Sequence, residues 1–292
     1  MANLKETRIR ISSISSTQQI TKAMKLVSAT KLRKAQTGIT QMRPYASKLK
    51  TMLGNLSGSI EDASLAKYFE ERELNKVLIV VMTSDRGLCG AFNSNVVKRV
   101  KQVLKVKYKD TPKENITLMY CGKKGFDLLS KLGYKNDVSY RTMFQNLEAE
   151  EVFAFAQVLL ERFTNREFDR VEIIYNQFKN AATQIITEER FLPVDLDEFR
   201  GEGASNNDYI FEPSKVEILE DLVPRSLKTQ VYKALLDSFA SEHGARMVAM
   251  DKATDNAGEL LKALRLAYNQ ARQAAITTEL SEIVGGAAAL EG

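Results

Sequence analysis

Apolar side chains recur at alternating intervals of three and four residues through the first part of the chain. This spacing lays one stripe of a helix against a partner helix, as in a coiled coil. Toward the N-terminus the same register passes through small and polar residues and then returns to apolar ones. We therefore predict one long helix within residues 1–60, continuous across Pro44 and ending near Gly54 and Gly58. The predicted seam residues are Leu4, Ile11, Ile14, Gln18, Thr21, Lys25, Ser28, Leu32, Ala35, Ile39, Met42, Ala46, Leu49, Leu53 and Leu56.

The last part of the chain, residues 213–292, repeats this spacing with a seam dominated by alanine. Pro224 leaves open where the continuous helix begins. Antiparallel pairing of the two helices, with 1–56 alongside roughly 214–270, leaves the tip from about residue 272 without a partner helix. That tip is almost uncharged, whereas an exposed terminus is normally polar, so we predict that it inserts into a partner. The predicted seam residues are Ala257, Leu260, Leu264, Ala267, Ala271 and Ala274.

Residues 61–212 have a different period. Short apolar runs alternate with segments of helical spacing, the pattern of buried strands joined by helices. We predict a Rossmann-like α/β domain inserted between the two long helices, with a flexible loop over 200–213. Asn93 or Ser94 is the predicted N-cap of its first helix. The predicted strands are 76–85, 116–122, 170–178 and 184–194, the last two antiparallel, and the predicted helices are 92–109, 123–133 and 148–163.

The segment SDRGLCGAFNSN (84–95) lies between a predicted strand and a predicted helix, where nucleotide-binding folds hold phosphate. Its glycine spacing matches neither GxGxxG nor a P-loop with its lysine, so we predict no nucleotide and no other cofactor. Cys89 has no histidine within the motif to activate it, which disfavours a catalytic role. We predict a tight turn that exposes Asp85 and Arg86 for a protein contact; alternatively, Asp85 braces its own turn.

The composition disfavours several kinds of functional site. His243 is the one histidine, which disfavours a histidine-based metal site or catalytic triad, and we expect it to be structural or on the surface. Cys89 and Cys121 form no CxxC pair, which favours free thiols in a reducing compartment. The longest apolar run, at 77–82, is too short to span a bilayer, and no signal peptide is recognisable. We therefore expect a soluble protein without direct membrane insertion.

The net charge of +5 is concentrated at one end, because Glu6 is the one acidic residue among the first fifty. Such a positive field predicts an acidic partner, either a nucleic acid or an acidic protein surface. The basic stretch 18–34 is either a solvated helix face or a contact surface, and periodicity does not decide between them. The basic residues of this arm are Lys5, Arg8, Arg10, Lys22, Lys25, Lys31, Arg33, Lys34, Arg43, Lys48 and Lys50.

Three segments resemble the gamma subunit of rotary (F-type) ATP synthases, of the bacterial kind. They are RIRISSISSTQQITKAMKLVSATKLRKAQ (8–36), SDRGLCGAFN (84–93) and ARMVAMDKATDNAGELLKALRLAYNQARQAAITTELSEIVGGAAAL (245–290). The resemblance covers the whole chain. It implies a rotor shaft with no catalytic, cofactor or metal site of its own. Such a shaft turns inside a ring of three alpha and three beta subunits and couples proton flow through the membrane sector to ATP synthesis or hydrolysis.

The resemblance also implies partners and a location. The long helices would contact the alpha and beta subunits, and the middle domain would contact the epsilon subunit and the membrane rotor ring of c subunits. The protein would be peripheral, on the cytoplasmic face of the bacterial cell membrane, and would bind no nucleic acid. Residues at family positions that contact a beta-subunit loop are Arg272, Gln273, Thr277 and Glu279. Candidates for contact with acidic beta loops are Met24, Lys25, Lys31, Arg33 and Arg86.

Two hypotheses of other classes remain at this point. A basic coiled-coil protein is suited to binding nucleic acid or to acting as a scaffold, with a steep salt dependence for binding to phosphates. Alternatively, SDRGLCG marks a small α/β enzyme that binds a nucleotide. Neither hypothesis gives a role to the C-terminal tip with its few charges.

Overall fold

The structure, a computed structural model, divides into two compact units, one formed by residues 1–28 with 247–292 and the other by 29–246. The residues that it describes are 4–56, 67–145, 147–195 and 214–291, with side chains at all of these except 50, 54–56, 215 and 288–291. The predicted loop over 200–213 and the predicted segment boundaries at 60, 61, 212 and 213 lie outside the described residues.

Two long helices account for most of the helical residues. Helix α1 spans Leu4–Leu56 and helix α5 spans Lys215–Glu291. Pro44 lies inside α1 and Pro224 inside α5. The predicted continuity across Pro44 is therefore confirmed, and the start that Pro224 left open lies at Lys215. Neither these nor the other described helices have the length and apolarity needed to cross a membrane.

Within 29–246 the two long helices pack antiparallel, as predicted. A Cβ on Gly38 would lie 3.7 Å from Cδ1 of Leu236, and further along α1 Tyr45 is hydrogen-bonded to Arg225. The predicted first seam is confirmed here, because its apolar members are removed from water while their neighbours on α1 are exposed. Ala46 is half-buried, and the side chain of Leu56 lies outside the described residues. The buried members are Leu32, Ala35, Ile39, Met42, Leu49 and Leu53.

The predicted second seam is wrong at every other position. Ala257 is buried and Leu264 and Ala271 are half-buried, as predicted, but Leu260, Ala267 and Ala274 are exposed. The inward positions between them are Leu261, Tyr268 and Ala275. The physical reason is that alanine and leucine occur in both registers, and only packing against α1 selects between them.

A five-stranded sheet in the order β3-β2-β1-β4-β5 forms the centre of the unit 29–246. β1 pairs in parallel with β2 and with β4, β2 pairs in parallel with β3, and β4 pairs antiparallel with β5. The predicted α/β domain and its antiparallel last pair are therefore confirmed. The strands are β1 Val77–Met82, β2 Ile116–Cys121, β3 Lys135–Asp137, β4 Arg170–Phe178 and β5 Gln184–Leu192.

Alternate side chains of the buried strands enter two different cores, because successive residues of a strand point to opposite faces. On β1, Leu78 and Val80 join helix α4 and the first part of α5, whereas Ile79 and Val81 join α2 and α3. The continuous apolar run at 77–82 thus reflects burial on both faces. The helices are α2 Phe92–Val106, α3 Lys123–Leu129 and α4 Ala149–Thr164, with single 3₁₀ turns at Lys113–Asn115, Ser130–Leu132 and Met143–Gln145.

Two details of the domain differ from the sequence predictions. The residue that precedes α2 is Ala91, without a side-chain cap, so neither Asn93 nor Ser94 is the N-cap. The reason is that the Asn93 side chain bonds to Ser84 instead. Strand β3 was not predicted, because its three residues are polar and partly exposed at the edge of the sheet.

Candidate interaction surfaces

In the unit formed by the first and last segments, the seam between the helices is held by polar contacts. The Gln18 amide donates to the Thr254 carbonyl at 3.3 Å, and the hydroxyls of Thr21 and Thr254 are 2.8 Å apart. Lys25 Nζ lies 2.5 Å from Asp251 Oδ1. Rising numbers on α1 meet falling numbers on α5, so the pairing is antiparallel here as well. In this seam, hydrogen bonds and an ion pair add to the burial of a few apolar residues of α5, such as Ala257 and Leu261.

Lys25 and Met24 are the two candidate contact residues of this segment, and both are half-buried. The ammonium of Lys25 is already paired with Asp251, and both side chains remain 40% and 48% exposed. Lys25 can therefore reach a partner from its exposed side, but part of its charge is neutralised within the helix pair. Met24 offers an unbranched apolar side chain at the edge of the seam.

Most side chains of the tip from about residue 272 are exposed. Arg272, Gln273, Thr277 and Glu279, the residues predicted to contact a beta-subunit loop, are all exposed. The Thr277 hydroxyl donates to the Gln273 carbonyl at 2.9 Å, which ties that hydroxyl to its own helix. Large apolar residues of the tip are exposed as well, and they are Ile276, Leu280, Ile283 and Val284.

Helical spacing sorts these side chains into two adjacent stripes, because residues three and four apart share a face. One stripe contains Arg272, Ile276, Glu279 and Ile283. The other contains Gln273, Thr277, Leu280 and Val284. Each stripe thus contains two polar and two large apolar side chains, a composition suited to an apolar surface that offers a few hydrogen-bonding groups.

The basic candidates of the unit 29–246 on α1 are Lys31 and Arg33, and both are exposed. Burial raises the pKa of Glu242 and lowers that of His243, both of α5, and the positive charge of Lys31 acts to lower both. Lys31 therefore lies near these two residues. The exposed ammonium and guanidinium groups are available to an acidic surface.

The turn 84–91 leads from β1 to α2 and carries the last candidate, Arg86. The Arg86 side chain is exposed, as predicted, while Ser84 before it is buried. Asp85 is half-buried, and its carboxylate accepts a hydrogen bond at 3.3 Å from the backbone N–H of Lys123, the first residue of α3. Asp85 therefore braces the beginning of α3 and is less exposed than predicted, while its contact with a partner stays a prediction.

Sequence reasoning missed Arg246, whose guanidinium holds this turn from α5. Nη2 donates to the carbonyls of Arg86 and Gly87 at 3.0 and 3.4 Å, and Nη1 donates to Glu242 at 2.6 Å. Glu242 and Arg246 are four residues apart on a helix, which is a recognisable pair. Nothing in the local sequence, however, indicates that the pair is buried against a turn far away in the chain.

His243 and the two cysteines have environments that suppress their charged forms. Burial, together with the neighbouring cations Arg246 and Lys31, lowers the pKa of His243 to about 3, so the ring is neutral at physiological pH. Burial raises the pKa of Cys89 and of Cys121, and both thiols are free. Among the described residues no three histidine, cysteine, aspartate or glutamate side chains cluster as metal ligands would.

The family model described as ATP synthase matches residues 3–290. The ATP synthase gamma chain of Christiangramia forsetii is 54% identical over 292 residues, which is all of both chains. The ATP synthase gamma chain of Flavobacterium johnsoniae is 56% identical over 293 residues, again all of both chains.

Two solved structures contain chains of similar fold. One is the cryo-EM structure of the Euglena gracilis mitochondrial ATP synthase, OSCP/F1/c-ring, in rotational state 3, with a TM-score of 0.67 and 24% identity over 98% of this chain and 94% of that one. The other is the central stalk and c-ring of the Tetrahymena thermophila mitochondrial ATP synthase, with a TM-score of 0.57 and 27% identity over 80% of this chain and 99% of that one.

Proposed function

Because the chain belongs to the ATP synthase gamma chain family, it is a non-catalytic subunit of that synthase, and we propose that its exposed tip and basic residues transmit rotation to the beta subunits. The gamma chain is the rotor of the central stalk. Its rotation within the alpha and beta subunits couples proton flow through the membrane sector to ATP synthesis or hydrolysis. In this proposal residues 1–60 and 213–292 form the axle, and residues 61–212 form the foot.

The observation that carries the proposal is the pair of mixed stripes on the tip. An axle that turns past three equivalent beta subunits cannot hold one strong ion pair at a fixed angle without trapping that angle. Large apolar side chains, by contrast, interact without direction and roughly in proportion to contact area. The apolar residues of the tip supply a bearing, and Arg272, Gln273, Thr277 and Glu279 supply the few contacts that depend on angle.

The exposed basic residues of α1 and of the turn of the foot supply a second kind of contact. Lys31, Arg33 and Arg86 would meet acidic beta loops once in every third of a revolution. Charges on solvated side chains attract at a distance and are screened by salt, which suits a contact that must form and break repeatedly. Lys25 would contribute less, because Asp251 already neutralises part of its charge.

The partners of the foot follow from the same proposal. The foot contacts the epsilon subunit and rests on the ring of c subunits, so the assembled protein is peripheral, on the cytoplasmic face of the bacterial membrane. In support, the matched Tetrahymena chain comes from a structure of a central stalk with its c-ring.

A charge reversal on the tip tests the proposal in a complex reconstituted with alpha and beta subunits. We expect Glu279→Lys to lower the rate of ATP hydrolysis about tenfold, which corresponds to a rise of roughly 1.4 kcal/mol in the rate-limiting barrier, and to lower the torque as well. Glu282→Lys is the matched control, because Glu282 continues the inward register of Ala271 and Ala275 rather than either tip stripe. Equal effects of the two reversals, or failure of the unmodified chain to assemble, would overturn the proposal.

A further inference from the structure

Arg246 is a buried cation whose hydrogen bonds run to the turn 84–91. It is only 7% exposed, and burying a guanidinium is costly unless its donors are satisfied. Two of its acceptors are the backbone carbonyls of Arg86 and Gly87, the third is the carboxylate of Glu242, and Nη1 lies 3.4 Å from Nδ1 of His243. The buried guanidinium of Arg246 therefore holds the backbone of this short turn.

The same turn is held from its other side by two polar residues. The Ser84 hydroxyl donates to the Arg86 carbonyl at 2.6 Å, and the Asn93 amide donates to Ser84 Oγ at 2.7 Å. The Arg86 carbonyl thus accepts from both Ser84 and Arg246. With its carbonyl fixed inward by two donors, the Arg86 side chain is directed to the exposed side of the turn.

Leu88 is the second exposed side chain of the turn, and its backbone is unusual. Its φ is 63° and its side chain is 64% exposed. A leucine in this left-handed region is strained, because its Cβ lies too close to the following carbonyl oxygen, whereas a glycine would avoid that strain. Exposing its apolar surface does nothing for the stability of the chain alone. Strained backbone and exposed apolar surface at one position are features of contact sites.

We propose that Arg246 is the positioning residue of this turn, and that Arg86 and Leu88 together form its contact with an acidic beta-subunit loop. This inference rests on the function proposed above and adds Leu88 to the contact and Arg246 behind it. Arg86 supplies the charge, Leu88 packs on apolar side chains next to the acidic groups, and Arg246 holds the backbone that carries both. Arg246 acts only through the turn, since its guanidinium is buried.

A double-mutant cycle in the reconstituted complex tests this arrangement. We expect Arg86→Ala and Arg246→Met each to lower the hydrolysis rate about fivefold to tenfold, an effect of roughly 1 kcal/mol. The double variant should be no slower than Arg86→Ala alone, because both changes remove the same contact. Leu88→Ala should have a smaller effect of the same kind. Arg246→Lys should restore part of the loss, because one ammonium can still donate to the turn.

Hydrogen exchange of the assembled complex separates positioning from a general loss of stability. Arg246→Met should speed exchange of the amides of 86–91 at least fivefold and leave the amides of β1 and β2 unchanged. Arg225→Met is the matched control, because Arg225 is an exposed arginine of α5 whose acidic partner, Asp221, is also four residues away. This control should change neither the exchange of the turn nor the hydrolysis rate.

Each outcome decides a stated part of the proposal. Multiplicative losses in the double variant, or unchanged exchange of 86–91 in Arg246→Met, overturn the positioning role. Wild-type rates for both Arg86→Ala and Leu88→Ala overturn the contact. If the unmodified chain supports no hydrolysis with alpha and beta subunits, the general function fails instead.

Discussion

The two parts of helix α1 contact helix α5 through different kinds of side chain. In the unit 29–246 its seam is apolar, and Ala35 and Leu53 are almost completely removed from water. In the unit that contains residues 4–28, the corresponding seam positions include Gln18, Thr21 and Lys25, which bond to α5 through side chains. The seam positions of α1 are therefore stabilised mainly by apolar burial in the unit 29–246, and by hydrogen bonds and an ion pair as well as burial in the other unit.

The difference shows which part can hold its structure alone. Burying a leucine is worth about 2 kcal/mol relative to exposing it, whereas a typical hydrogen bond contributes about 1 kcal/mol net and a half-exposed ion pair less. The polar seam also accompanies exposed apolar residues on the outer surface, such as Ile9, Ile20 and Leu26. In the proposed function this part of the axle turns inside the alpha and beta subunits, and we infer that such enclosure would supply much of its stability.

The largest expected effect is on the apolar seam. Leu53→Ala should lower the free energy of unfolding by about 2–5 kcal/mol, because Leu53 belongs to the buried core that α4 and α5 share. Denaturant unfolding of the isolated chain, with hydrogen exchange of residues 29–53, measures this loss. Met52→Ala, one residue away and exposed, is the control. A similar loss for both variants would contradict the burial argument.

The buried carboxylate of Asp237 on α5 should make the stability of the unit 29–246 depend on pH. Burial raises the pKa of Asp237 to about 6 despite the nearby cations Lys233 and Arg43. Because the folded state binds this proton more tightly than the unfolded state does, stability from this group is present at low pH and is lost as pH rises through about 6. Asp237→Asn should therefore stabilise the chain by about 1–3 kcal/mol at pH 7–8.

Thermal unfolding of Asp237→Asn and of the unmodified chain across pH measures this gain. The gain should shrink progressively below pH 6 and vanish near pH 4, where the aspartic acid is neutral in the folded state. Asp251→Asn, at a half-exposed aspartate of the polar seam, is the control and should show no such gain. A gain of equal size at pH 4 and pH 8 would contradict the assigned cause.

The smallest effect is expected in the polar seam. A double-mutant cycle of Lys25→Ala and Asp251→Ala should give a coupling of about 0.2–1 kcal/mol that decreases with added salt, because both side chains are roughly half exposed. Denaturant unfolding of the isolated chain provides the values. A coupling of several kcal/mol, insensitive to salt, would show that the two seams do not differ as described.

Sequence periodicity predicted the first seam correctly, because leucine, isoleucine and methionine recur there at intervals of three and four in a single register. It was right at only every other position of the second seam, since Leu260 and Leu261 are adjacent and alanine occurs on both faces. The exposure of Arg86 was predicted from its place between a strand and a helix. The hydrogen bond that Asp85 accepts from the Lys123 backbone N–H was not predicted, because Lys123 begins α3, which is distant in the sequence.

What the sequence determined by itself was local or recurrent: the long helices, the buried parallel strands, the family, and a C-terminal tip with few charges. The tertiary structure alone decided which alanine register of α5 faces α1, that Lys25 pairs with Asp251, and that Arg246 holds the turn carrying Arg86. The physical reason is the range of the interactions. Propensity and periodicity act within a few residues, whereas these pairings join positions about 160 to 230 residues apart, where only the packed fold brings donor and acceptor together.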